Sequence, residues 1–326
     1  MPTILITGAN GFVGSNMAEF MLDKGYEVRC LVRKTSDLSF LKGLNVQYMY
    51  GSFNDPEILK EALKDVEYVF HFAGKTKAKD ETEYMKINAD GVRTIAEACL
   101  NAPSVKKLIY SSSLAAVGPQ IDENPVDENM APHPVSIYGR SKLAGEKILT
   151  AEIGNQLPWI IIRPTGVYGP KDRDIFLYFK TISRGFRILV SGQKRRVSLI
   201  HVKDLANLCY LAAVSEISGE TFMASDGGGY TWEQLSMIIE RALNKTTVKI
   251  TIPLWLTGFI AFFAEILGTL RGRPSTLNRE KIRELKAEGW VVSIKKAEQM
   301  LGFKPEFSAE KGIAETAEWY LQNGWL

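Results

Sequence analysis

Through its first third the chain alternates short apolar runs with amphipathic stretches. Thr3-Ile4-Leu5-Ile6-Thr7, Glu27-Val28-Arg29-Cys30-Leu31-Val32-Arg33, Val46-Gln47-Tyr48-Met49-Tyr50, Tyr68-Val69-Phe70-His71-Phe72 and Lys107-Leu108-Ile109-Tyr110 read as strands. Between them, Val13, Met17, Phe20 and Met21 repeat on one helical face that ends at Gly25. Asp55 to Leu63 predicts a second helix capped by Asn54 or Asp55, and Glu83 to Asn101 a third. Strand and helix in strict alternation predict an α/β fold: a doubly wound parallel sheet with helices on both faces and ligands at the carboxyl ends of its strands. A sixth strand leads into Arg163, and Gly219-Glu220-Thr221-Phe222-Met223 returns as a further strand of the same sheet. Beyond Gly169 the periodicity turns irregular, which places a smaller, mostly helical lobe at 171–196 and 225–326 beside a main domain of 1–170 and 197–224.

At 326 residues the chain can bury a large core without help from disulfides or metals. The formal charge of +3 is small and dispersed, with no basic block interleaved with aromatics, so nucleic acid is not an expected partner. Cys30, Cys99 and Cys209 stand alone in apolar contexts and read as buried small hydrophobes in a reducing compartment; no metal motif is visible. The first residues enter a core strand directly, which predicts a cytoplasmic protein.

The first strand runs into Gly8-Ala9-Asn10-Gly11-Phe12-Val13-Gly14. Glycine permits a tight turn and close approach of backbone to a pyrophosphate, and the N–H groups of the new helix face the anion. The residues from Gly8 to Gly14 are therefore a phosphate cradle for a dinucleotide. The place where a carboxylate would hold a ribose 2′-hydroxyl falls on Val32, and Arg33 and Lys34 follow it. A guanidinium there pairs with a 2′-phosphate, so NADP(H) is expected as the preferred cofactor with NAD(H) as the alternative. Ala73 and Gly74 end the fourth strand and leave room for it, whereas His71 just before them reads as a satisfied core histidine.

Ser111, Ser112 and Ser113 close the fifth strand. The acidic, proline-rich stretch Pro119 to Pro134 has the length of a functional lid or a disordered loop. A helix then begins near Ser136 and carries Tyr138 and Lys142 four residues apart, hence on one face.

With these pieces together the chain resembles the extended short-chain dehydrogenase/reductase family. The glycine pattern, a serine at the end of the fifth strand and tyrosine-x-x-x-lysine about 25 residues later occur in its order. The similarity continues through Arg163-Pro164-Thr165-Gly166-Val167-Tyr168-Gly169-Pro170 and Ile200-His201-Val202-Lys203-Asp204. It implies a Rossmann-type fold in which Tyr138 donates or accepts a proton, Ser113 positions the substrate oxygen, Lys142 holds the nicotinamide ribose and Asn88 supports the site. It also implies cofactor contacts from Gly8, Asn10, Gly11, Phe12, Val13, Gly14, Arg33, Lys34, Ser52, Phe53, Ala73, Gly74, Pro164 and Val167. At the end of the third strand, Gly51-Ser52-Phe53 puts a hydroxyl where the family often has a carboxylate near the adenine.

Leu114-Ala115-Ala116-Val117 follows Ser113, and none of these can transfer a proton, which argues against dehydration. An epimerase acting on nucleotide sugars is the runner-up. There, Val197 stands where the resemblance expects a diphosphate-binding arginine, although Arg195 and Arg196 are adjacent. A cofactor-binding sensor or scaffold without chemistry is the remote alternative. The apolar segment 252–270, followed by Arg271 and Arg273, predicts a helix over an apolar pocket or core, peripheral membrane contact through 252–273, or a subunit interface. Together with the basic strand end it likens the chain most to the dihydroflavonol reductase and 3β-hydroxysteroid dehydrogenase branch, whose substrates are bulky apolar alcohols or ketones, often cyclic. The same resemblance implies a homodimer.

Overall fold

The computed structural model describes residues 1–190, 195–253 and 289–326. Most of the apolar segment 252–270, with Arg271 and Arg273, lies outside them, so the pocket, membrane and interface readings all fall there. No helix among the described residues is long and apolar enough to cross a membrane.

The first six strands are β1 (Thr3–Thr7), β2 (Glu27–Val32), β3 (Gln47–Tyr50), β4 (Val66–His71), β5 (Lys107–Ser111) and β6 (Trp159–Pro164). After them come β7 (Gly166–Tyr168), β8 (Phe186–Val190), β9 (Arg196–Val197), β10 (Leu199–His201), β11 (Glu220–Ala224), β12 (Tyr230–Thr231) and β13 (Val248–Ile252). Seven of them make one sheet in the order 11-6-5-4-1-2-3, and each neighbouring pair is parallel. The order reverses between β1 and β4, which opens a crevice at the carboxyl ends of those two strands.

Helices cover both faces because each sheet face is apolar; in chain order the first five are α1 (Phe12–Asp23), α2 (Pro56–Ala62), α3 (Glu81–Met85), α4 (Gly91–Leu100) and α5 (Ile137–Lys147). Met17 and Met21 of α1 (Phe12–Asp23) pack with Leu205 and Leu208 of the Val202–Val214 helix on one face. Val92 and Ile95 of the Gly91–Leu100 helix pack with Leu59 and Leu149 on the other. Asp55 is the cap of the Pro56–Ala62 helix, its carboxylate taking the amides of Glu57 and Ile58. The helix expected from Glu83 starts instead at Glu81 behind Asp80, and its middle widens into a π-helical turn over Lys86–Asp90. A third core joins Tyr168, Phe179, Ile239, Ile313 and Tyr320, so the aromatic end of the chain is packing material.

The Pro119 to Pro134 stretch is neither an open lid nor a free loop. The Val126 amide bonds Val291 O at 2.8 Å, the Ser293 amide bonds Val126 O at 2.9 Å, and Gln120 N bonds Gly289 O. Its acidic residue Glu128 accepts the Met223 amide of β11 at 2.7 Å. Sequence periodicity misses this clasp because its partner strand lies about 165 residues away, a separation only the fold can close. All three cysteines are buried and unpaired, and burial raises the Cys30 thiol to about 12.

Candidate active site

The cradle is built by leaving side chains out. Gly8 has φ +72°, a left-handed conformation suited to glycine, and a Cβ there would meet Ala73 N at 2.7 Å. A Cβ on Gly14 would overlap the Gly8 carbonyl and reach Ala9 Cα at 2.8 Å. Gly11 is the N-cap of α1 and no side chain caps that helix, so its first-turn N–H groups are left for a ligand. A pyrophosphate fits this combination of close backbone and uncapped helix start. Asn10, Phe12 and Val13 border the turn and are half-buried.

The residues expected on the adenine side meet at the next two strand ends. Val32 pairs with Tyr50, and the Gly51 amide bonds Val32 O, which sets Arg33 and Lys34 beside Gly51-Ser52-Phe53. Both basic residues are exposed. Ser52 accepts the Asn54 amide, and the Phe53 ring packs against Gly91 and edge-on to His71. His71 is buried, bonded through Nδ1 to the Thr7 hydroxyl at 2.8 Å, and burial followed by the Lys142 charge lowers it to about 3. It is a neutral core residue. Pro164 ends β6 opposite Ala224, and Val167 of β7 sits opposite Ile200 of β10, a strand pair apart from the seven-stranded sheet.

The residues expected to do chemistry come together around α5 (Ile137–Lys147), whose N-cap is Ser136. Tyr138 and Lys142 share a face of this helix. The Lys142 ammonium is buried, donates to Ser111 O at 2.6 Å and lies 4.5 Å from the Tyr110 ring centre. Burial lowers it to about 7, against the opposing pull of Glu146. Ser113 follows one residue past the Ser111 and Ser112 pair, and its hydroxyl accepts the Ala115 amide at 3.1 Å. Leu114 and Ala116 beside it are buried. Asn88, in the π-helical turn, takes the Lys75 amide at 2.8 Å and donates to Lys75 O and to Ser141 Oγ, both at 2.9 Å. It therefore ties the Ala73–Gly74 strand end to α5, and Gly74 lies between it and Lys142. The Tyr84 ring sits 6.3 Å from that of Tyr138.

Five residues of this site escaped sequence reading. A Cβ on Gly139 would overlap Ala115 O, and one on Gly145 would reach Asn88 O at 2.6 Å and the Tyr110 hydroxyl at 2.7 Å. These two glycines let α5 press onto the Ser113 turn and the Asn88 turn. Glu146, Arg163 and Ser112 form a buried cluster behind Lys142. Glycines three residues to either side of Lys142 and a glutamate four residues after it were the signal, legible only once a helix is assumed. Arg196 is exposed and its Nε donates to Gly229 O. Lys75 pairs with Glu83, and Lys77 bridges to Asp174 at 2.9 Å. No His, Cys, Asp and Glu cluster among the described residues could hold a metal ion.

Residues 4–224 match the model of the NAD dependent epimerase/dehydratase family. A ceramide reductase of Caulobacter vibrioides is 29% identical across 99% of this chain and 96% of its own. A sterol demethylase protein B of Methylococcus capsulatus is 27% identical across 99% and 100%. A UDP-glucose 4-epimerase of Vibrio cholerae is 26% identical across 98% and 96%. Among solved structures, gox2253 superposes with a TM-score of 0.81 at 30% identity, covering 99% of both chains.

Proposed function

The chain belongs to the NAD dependent epimerase/dehydratase family, and from that premise we propose that it is an NADP(H)-preferring oxidoreductase interconverting a secondary alcohol and a ketone on an apolar substrate. The observation that carries the reading is the geometry of α5. It holds Tyr138 and a buried Lys142 on one face, with the ammonium anchored on Ser111 O two residues before Ser113. The cradle from Gly8 to Gly14 would hold the pyrophosphate, Arg33 and Lys34 the 2′-phosphate, and Ser52, Phe53, Ala73, Gly74, Pro164 and Val167 would border the rest of the cofactor. When bound, the nicotinamide supplies or accepts the hydride.

The residues of this chain then manage one proton and one oxygen. Tyr138 protonates the carbonyl oxygen in reduction and deprotonates the hydroxyl in oxidation. A free phenol has a pKa of about 10, and a nearby ammonium stabilises the phenolate, which is the service Lys142 performs. Ser113 gives the same oxygen a neutral hydrogen bond. Asn88 holds the strand end and the helix in register through its three bonds. Leu114 and Ala116 supply no acid or base of their own, which favours simple hydride exchange over elimination.

Two relatives carry ceramide and sterol in their names, one acyclic and one ringed. What they share is an apolar body, and this supports an apolar substrate more than a cyclic one. The second reading, epimerisation of a nucleotide sugar, is favoured by the epimerase relative and by the Arg195-Arg196 pair. It is weakened by the bond of Arg196 to Gly229 O. NADPH consumption by the purified protein against apolar ketones, with UDP-sugars assayed for epimer formation, separates the two. Ketone reduction that vanishes in Tyr138→Phe supports the reductase; epimer formation without net cofactor change overturns it.

A further inference from the structure

We propose that Ser112, Glu146 and Arg163 form a positioning clip that sets Tyr138 and Lys142 against the end of β5. The roles of those two residues are taken from the functional reading above. Glu146 follows Lys142 by one helical turn and Tyr138 by two, so the three side chains lie along one face of α5. Its carboxylate is buried and accepts Arg163 Nε at 3.0 Å, Arg163 Nη2 at 2.7 Å and the Ser112 hydroxyl at 2.5 Å. Arg163 belongs to β6, and Ser112 follows β5 with its amide on Ile162 O at 2.7 Å. One carboxylate thus fastens the helix to the ends of two adjacent strands.

What those strand ends carry gives the clip its consequence. Ser112 stands between Ser111, whose carbonyl holds the Lys142 ammonium, and Ser113, which is to hold the substrate oxygen. A slide or rotation of α5 that moved Tyr138 relative to Ser113 would have to break a two-pronged guanidinium contact with fixed planar geometry. Stability alone is a poor reason for this cluster. Removing two charges from water is costly, and a well-packed apolar pair of similar size is often as stable. Directional hold is what an ion pair adds that apolar packing lacks.

The clip also sets charge. The titratable groups around Lys142 are Tyr138 and Glu146 on α5, Tyr110 on β5 and His71 on β4, with the Arg163 guanidinium behind Glu146. His71 is neutral, so Glu146 is the one negative charge among these groups that favours the ammonium. Replacing it by a neutral side chain leaves Arg163 uncompensated, and both changes push Lys142 toward losing its proton at lower pH.

Glu146→Gln is expected to lower kcat about tenfold at neutral pH and to move the alkaline limb of the pH profile down by about one unit, with KM within about twofold. Ser112→Ala keeps the ion pair and loses one tie, so kcat falls about threefold with the limb unmoved. If both variants match the wild type in kcat and pH limb while only the melting temperature drops, the clip is a structural brace and the proposal fails. Should Glu146→Gln not fold, the Ser112→Ala value of kcat decides. A wild type that turns over neither ketone nor UDP-sugar strikes the functional reading instead. The clip is then judged by NADPH binding followed through protein fluorescence, which must weaken at lower pH in Glu146→Gln than in the wild type; coincident binding profiles overturn it.

Discussion

The turn between β1 and α1 and the helix α5 both meet the carboxyl ends of strands in the sheet, but they work through different materials. The turn is made of backbone: Gly8 and Gly14 work by having no Cβ, and α1 begins without a side-chain cap. On α5 two glycines, Gly139 and Gly145, only bring the helix close, and the groups proposed to work are a buried ammonium, a buried carboxylate and a phenol. A site made of absent side chains tolerates no additions. A site made of buried charges tolerates no unbalanced deletions. The difference suits the tasks, since a pyrophosphate needs N–H groups at close range, whereas proton transfer needs one titratable group held at a chosen point.

Tyr138→Phe is the strongest test of the contrast. It keeps the ring against Tyr84 and removes the proton, so turnover should fall by roughly 10²–10⁴ while NADPH binding stays within a few-fold. Turnover within a few-fold of wild type would dissolve the distinction.

Two alanines sharpen it. Gly14→Ala and Gly139→Ala each force a Cβ onto a backbone carbonyl, of Gly8 and of Ala115 respectively. Each should cost about 1–3 kcal/mol of stability, several degrees in Tm. Gly14→Ala should abolish NADPH binding, read by fluorescence, whereas Gly139→Ala should keep it and lose turnover as α5 is pushed off the Ser113 turn. Equal loss of binding in both would show that the two regions form one unit.

Arg33→Asp acts on neither. Exposed beside Ser52, it should weaken NADPH by roughly 10- to 100-fold, the worth of one charge-assisted bond and a new repulsion, and leave NADH nearly unchanged. Equal effects on the two cofactors would remove the 2′-phosphate from the account.

The smallest effect tests buried charge away from the site. Asp172 accepts the amides of Asp174 and Ile175, yet burial raises it from 3.8 to about 7. The folded state holds that proton more tightly than the unfolded chain. The stabilisation is therefore complete below pH 3.8 and is lost as pH rises through about 7. Asp172→Asn should flatten this slope, its Tm rising relative to wild type by up to a few degrees as pH goes from about 4.5 to 7.5. Parallel curves would show that the carboxylate titrates normally.

The strand and helix order, the glycine turn, the basic end of β2, and Ser113, Tyr138 and Lys142 were legible in sequence because each rests on a local rule. Alternating apolar runs announce the sheet, three spaced glycines announce close backbone approach, and a four-residue step on a helix announces a shared face. The start of the fourth strand and the π-helical turn holding Asn88 were not, since pairing partners and neighbouring helices set them.

The amino-acid order by itself determined which residues can turn, twist, cap or titrate, and that was enough for the architecture and for naming the candidate reacting groups. The tertiary structure alone decided what surrounds them. It put Glu146, Arg163 and Ser112 into one buried cluster from three separate elements, and pinned the Pro119 to Pro134 stretch to residues 289–293. It also withdrew water from Lys142 so that its proton becomes labile near neutral pH. Burial and the balance of charge inside it are properties of a place rather than of a residue, and a place exists only after distant segments have met.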